Sequence, residues 1–143
     1  MKLAAAWPWL LLCAFLLVLA SCGDEESAES GIPPTFSAIQ TQVFDVSCNF
    51  DACHSTRGRN GGLVLQGEGA YDALVGVTPV DGAASTEGLK RVVAGDPDQS
   101  FLLIKLDPTL DARYGALMPL NSDGLPADQV AAIRQWIADG APR

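Results

Sequence analysis

The chain has 143 residues, enough for one domain, with 9 basic against 17 acidic side chains and a formal net charge of −8. That balance argues against a nucleic-acid partner or an anionic lipid surface, both of which need clustered positive charge. Only one histidine, His54, and four cysteines are present. That is little material for a zinc centre, and once His54 is committed elsewhere no Ser–His or Cys–His dyad remains.

Lys2 is the only charge before Asp24, and Leu3 to Ala20 is apolar with a dense core from Leu10 to Leu19. This is a charged n-region followed by an h-region. The run ends in Leu19-Ala20-Ser21-Cys22, which resembles the lipobox of bacterial lipoproteins. The resemblance implies cleavage before Cys22, lipid on its thiol and new amino group, and a domain held in the bacterial cell envelope. The other reading is an uncleaved transmembrane anchor, since the run is nearly long enough to span a bilayer. Both readings put the folded part outside the cytoplasm, on the periplasmic side, where thiols are oxidised or bonded to something else. Residues 1–21 are thus expected to be a signal peptide, and the polar, acidic residues 22–34 a flexible tether. Without Lys2, 8 basic face 17 acidic residues, a net charge of −9 that suits a basic protein partner or simply solubility.

Residues 35–143 read as an all-α domain of about four short helices with long loops. Phe36, Ile39, Val43 and Phe44 fall on one helical face, with Thr35 or Ser37 as cap and Ser37 with Gln40 fitting a capping box. Ser55 to Gly62 is a turn-rich loop. Ala70 to Val75 predicts a short helix with Tyr71, Leu74 and Val75 inward, and Gly76 to Gly88 predicts no regular structure. Asp96-Pro97-Asp98-Gln99 predicts a helix start, with Asp96 as N-cap, Gln99 completing a capping box and Asp98 favouring the helix dipole. The last helix begins near Pro126, shows Val130, Ile133, Trp136 and Ile137 on one face, and stops at Gly140. No strand pattern is evident.

Chemistry concentrates in Cys48-Asn49-Phe50-Asp51-Ala52-Cys53-His54. Two thiols followed directly by an imidazole is the arrangement that attaches haem covalently: the thiols add to the porphyrin vinyl groups and the next residue ligates the iron. The usual spacing is C-x-x-C-H, whereas this is a C-x4-C-H variant. The alternative is a Cys48–Cys53 disulfide, whose short loop contributes about 2 kcal/mol at most and leaves His54 unexplained. Haem iron takes axial ligands from His, Met, Cys or Tyr. With haem present, His54 is proximal, and Met118, the only methionine besides Met1, is the candidate second ligand. Otherwise Met118 is a core gap-filler. Tyr71 and Trp136 are candidates to pack on a porphyrin or to be ordinary core. Arg57, Arg59 and Arg91 offer charge for haem propionates, although arginine is most often solvated surface.

The chain order is helix, Cys…Cys-His, loop, Gly95-Asp96-Pro97 leading a helix, Met118-Pro119, and a terminal helix with Ile133, Trp136 and Ile137. With Gly61-Gly62-Leu63, Leu65, Tyr71, Leu74 and Val93-Ala94, this order resembles the class I c-type cytochromes. It is most similar to planctomycete-type cytochrome c domains and related bacterial lipoproteins. The resemblance covers roughly Phe36 to Ala141. It implies a cytochrome c-like fold around one covalent haem c, attached at Cys48 and Cys53, with His54 and Met118 as axial ligands of its iron. It also implies a membrane-anchored carrier of single electrons between redox protein partners rather than an enzyme. Two features depart from the family: the x4 spacing, and Pro119-Leu120 where two prolines are more usual. Two further readings stay open. One is a haem-free lipoprotein interaction domain of the same fold with a Cys48–Cys53 disulfide. The other is a haem sensor or small peroxidase in which Met118 does not bind iron.

Overall fold

The structure is a computed structural model and describes residues 31–143. The expected signal peptide, the lipid attachment at Cys22 and the tether as far as residue 30 lie outside the described residues.

Thr35 is extended (φ −117°, ψ 148°), and its side chain accepts the Ala38 N–H, so Thr35 is the cap of α1 (Phe36–Ile39). The expected Ser37–Gln40 capping box does not form, because the Gln40 side chain donates instead to Asp45 and to the carbonyl of Leu65. The helix then widens into a π-helix over Gln40–Cys48, where the Asn49 N–H reaches back to Phe44 O at 3.0 Å. An i→i+5 ladder takes about one more residue per turn than the 3.6 of an α-helix. The inward face therefore runs Ile39, Val43 and Phe44, then Cys48. A continued α-helix would have turned Val46 inward instead, yet Val46 is 58% exposed.

After a 3₁₀ turn at Asn60–Gly62 come α2 (Gly69–Leu74) and α3 (Gly82–Thr86). α3 corrects the expectation of no structure over 76–88: Asp81 caps it by accepting the Ala84 N–H at 2.9 Å. α4 (Phe101–Leu106) starts later than expected. Asp96 does accept the Gln99 N–H, at 3.2 Å, but that bond closes a turn ahead of the helix. Asp98 pairs with Arg134 on α5 rather than serving the dipole. Ser100 precedes α4 and is fully buried. Its hydroxyl accepts the Val93 N–H at 2.9 Å and donates to Asp96 O at 2.8 Å. Ser100→Ala should orphan that N–H and cost about 1–3 kcal/mol, measured by urea unfolding.

A second 3₁₀ turn, Ala112–Tyr114, leads to α5 (Ala127–Ala138), which begins after Pro126 as expected. Its end is a Schellman motif: Gly140, at φ 94°, bonds Ile137 O, and Ala141 bonds Trp136 O. Among the described residues only isolated bridges join extended segments, such as Val75 with Val92, so the all-α expectation holds. No helix among them is long and apolar enough to cross a membrane.

The main core gathers Ile39, Val43 and Phe44 with Leu65, Leu74, Val92 and Leu103, and with Ile133, Trp136 and Ile137 of α5. Phe36 stacks against it, its ring 5.2 Å from Tyr71 and 5.5 Å from Trp136. Tyr71 donates to Ala141 O and Trp136 to Pro142 O. The two aromatics thus tie the C-terminus to the core, which is where they belong rather than against a ligand. A second cluster joins Ala84, Leu89, Phe101 and Tyr114.

Candidate functional site

A cleft of about 280 Å³ opens where the two clusters meet, close to the lower end of the roughly 300–1,000 Å³ usual for ligand pockets. Its walls are mainly apolar: Leu63, Leu65 and Leu74 on one side, Phe101, Leu102 and Leu106 of α4 on another, and Pro79 and Val80. Cys48, His54 and Met118 line this same cleft. Cys53 is not among the lining residues.

Cys48 arrives at the end of the π-helix, partly buried against the main core. The His54 N–H returns to Cys48 O at 3.1 Å, and His54 O accepts the Leu65 N–H at 2.7 Å, so the backbone around the histidine is held from both sides. His54 Nδ1 lies 3.0 Å from the carbonyl of Asn60. Only a protonated Nδ1 can bond a carbonyl, so this contact assigns the Nδ1–H tautomer and leaves the Nε2 lone pair free for a metal. Burial pushes the imidazole pKa below its ordinary value, the backbone of Asn60 and Leu63 beside the ring opposes that shift, and the Arg91 charge lowers it further.

Met118 is carried by a loop that one residue organises. Lys105 O on α4 accepts the Met118 N–H at 2.8 Å, and Lys105 Nζ donates to Tyr114 O at 2.8 Å and to Ala116 O. Arg91 is 93% buried on another wall, donating to Ala73 O at 2.8 Å and Gly61 O at 2.9 Å. Both cations line the cleft, and burial lowers both pKa values, Asp81 partly opposing this at Lys105. Neither forms an ion pair among the described residues. Arg57 instead pairs with Asp51 on the open surface, and Arg59 bonds Thr56 O.

Cys48 and Cys53 are free thiols. Burial, reinforced by the neighbouring Cys53, pushes the Cys48 thiol from 9.0 up to about 12. Between those two values the unfolded chain gives up a proton that the folded chain keeps. Stability of the reduced, haem-free chain should therefore fall as pH rises from 9 towards 12. At pH 8 its Cys48 should alkylate at least about 100-fold more slowly folded than in urea, read by peptide mass spectrometry.

The residues present fit a covalently held haem: a thiol, an imidazole of the right tautomer and a thioether on one apolar cleft, with two cations for its carboxylates. Among the described residues no three His, Cys, Asp or Glu side chains converge as a metal-binding group of their own. Asn60 and Lys105 escaped the sequence reading. Asn60 carried only a turn signal in Asn60-Gly61-Gly62, whereas a lone lysine inside the apolar Phe101–Leu106 run was a visible anomaly. Comparison with models of protein families, with curated proteins and with solved structures gave no match for this chain.

Proposed function

We propose that the chain is a monohaem c-type cytochrome, anchored through lipid at Cys22 outside the cytoplasm, that carries single electrons between protein partners. The observation that carries this reading is the convergence of Cys48 and His54 with Met118, from far along the chain, on one mainly apolar cleft. Cys48 and Cys53 would hold the haem covalently, and His54 and Met118 would bind its iron. When bound, the haem supplies one-electron chemistry through its iron.

The chain's own residues set the conditions. The Asn60 carbonyl fixes the His54 tautomer and makes the ring a better donor. The depressed imidazole pKa keeps it neutral at pH 7. The leucine and phenylalanine walls would keep water from a haem held there, which would favour a higher potential. Arg91 and Lys105 supply positive charge for propionates. The net charge of −9 left once Lys2 is removed, 8 basic against 17 acidic residues, suits a basic redox partner.

The test is the mass and absorbance spectrum of the full chain produced with a cytochrome c maturation system. The expected result is a mass increase of one haem that survives denaturation, with a c-type reduced spectrum. A colourless product whose Cys48 and Cys53 become alkylatable only after mild reduction would replace this reading with the disulfide-stapled interaction domain.

A further inference from the structure

The widened Cys48–Cys53 loop is held by residues that follow it. Asn60 makes three contacts at once. Its side-chain amide donates to Ala52 O, its backbone N–H to Cys53 O at 3.1 Å, and its carbonyl accepts from His54 Nδ1 at 3.0 Å. Gly58 passes directly against the same loop. A Cβ there would meet Cys53 O at 2.5 Å, Asp51 O at 2.7 Å and Cys53 N at 2.9 Å, all backbone atoms that cannot swing away. The Ser55 hydroxyl and the Arg57 guanidinium hold Asp51 from the outside. Inside the loop, Cys53 N–H bonds Phe50 O at 2.8 Å and His54 N–H bonds Cys48 O at 3.1 Å. The carbonyls of Phe50, Asp51 and Ala52, three of the four intervening residues, are thus each held by a partner within the protein.

We propose that Asn60 and Gly58 are positioning residues that make the C-x4-C-H spacing usable, by locking the Cys48–Cys53 loop and the His54 ring into one arrangement to which both thiols can be joined. The inference rests on the haem reading above and adds to it the device that accommodates the two extra residues. Each attachment adds a thiol S–H across a vinyl C=C: an S–C bond forms, the hydrogen goes to the other vinyl carbon, and no oxidant or reductant is consumed. The chemistry is the same for both thiols, so the second bond depends on where the loop holds its sulfur. An unrestrained four-residue spacer leaves Cys53 many positions, and ordering each of its residues costs backbone entropy. Asn60 and Gly58 impose that order in advance.

The experiment compares full-length chains matured with the haem-attachment machinery: parent, Asn60→Ala, Asn60→Asp and Gly58→Ala. The same substitutions are also made in a chain lacking Phe50 and Asp51, which restores C-x-x-C-H. Denatured, haem-bearing chains are alkylated, and the peptides spanning Cys48 to His54 are mapped for one or two thioether bonds. We expect two bonds in the parent. The Asn60 variants remove the side-chain bond to Ala52 O and keep the two backbone contacts, whereas Gly58→Ala pushes the loop itself; in all of them we expect at least a tenfold rise in chains attached at Cys48 alone, with Cys53 alkylated. In the shortened chain the same substitutions should leave both bonds intact, a rescue that a general folding defect would not show. Two bonds at parental yield in Asn60→Ala and Asn60→Asp would overturn the proposal, as would equal sensitivity in the shortened chain, while haem on the parent upholds the cytochrome reading. A parent without haem would overturn both.

Discussion

His54→Ala should leave the matured chain without ordered haem, lowering low-spin c-type absorbance per chain at least about 100-fold, the upper end of what losing even a hydrogen-bond partner of a metal ligand costs. The expectation follows from composition as much as from geometry. The chain has one histidine, so no other imidazole can take the proximal position. The haem-free chain supplies the control. There His54 is a half-buried neutral ring with one hydrogen bond, and its removal should cost only about 1 kcal/mol in urea unfolding. Its pKa is lowered in the folded state, so the folded chain binds fewer protons than the unfolded one as pH drops below about 6.5. The haem-free parent should accordingly lose stability as pH falls through that value, and His54→Ala should flatten that part of the profile. Large loss of haem with small loss of haem-free stability marks a ligand. Comparable losses in both would mark a merely structural histidine, and the cytochrome reading would fail with it.

Legibility of the fold followed the scale of the signal. The terminal helix was readable end to end because its apolar face has a strict helical period and Gly140 supplies the left-handed residue its cap needs. The π-helix was not, because Ile39, Val43 and Phe44 fit an α-helical face and a wider one equally well; only the packing of Cys48 in place of Val46 distinguishes them. α3 is five residues long and rests on a single capping aspartate, too little for periodicity to register. Asp96 was recognised as a capping residue, but local sequence could not tell a capped turn from a capped helix, and buried Ser100 decided the matter through contacts to Val93. At the site, the residues that would touch a ligand were named from chemistry alone. Those that hold them in place were not: Asn60 and Lys105 act through carbonyls brought near only by folding. Sequence alone makes Arg91 one of three equivalent arginines, and burial separates it from Arg57 and Arg59.

Met118→Ala should have the opposite signature to His54→Ala: haem remains attached and the potential falls. Both thiols and His54 are untouched, and the Met118 loop keeps the Lys105 Nζ bonds to Tyr114 O and Ala116 O and the backbone bond of residue 118 to Lys105 O. Mass and haem content should thus match the parent. Loss of a thioether ligand leaves water or a weaker group at the iron, and thioether ligation is what raises the potential. A fall of at least about 100 mV is expected, a modest part of the ≈0.8 V that axial ligands span, read by redox titration. Lys105→Leu offers a graded comparison, since it frees the loop without removing the Met118 sulfur and should give a mixture of ligated and unligated chains. An unchanged potential in Met118→Ala would mean that the thioether only fills the cleft wall. The sixth position would then be open to exogenous ligands, and small anions or carbon monoxide should bind the parent and the variant alike. That result would turn the reading from an electron carrier to a haem sensor or peroxidase. Ligand binding confined to the variant would instead establish Met118 as the residue that keeps this haem closed to everything but electrons.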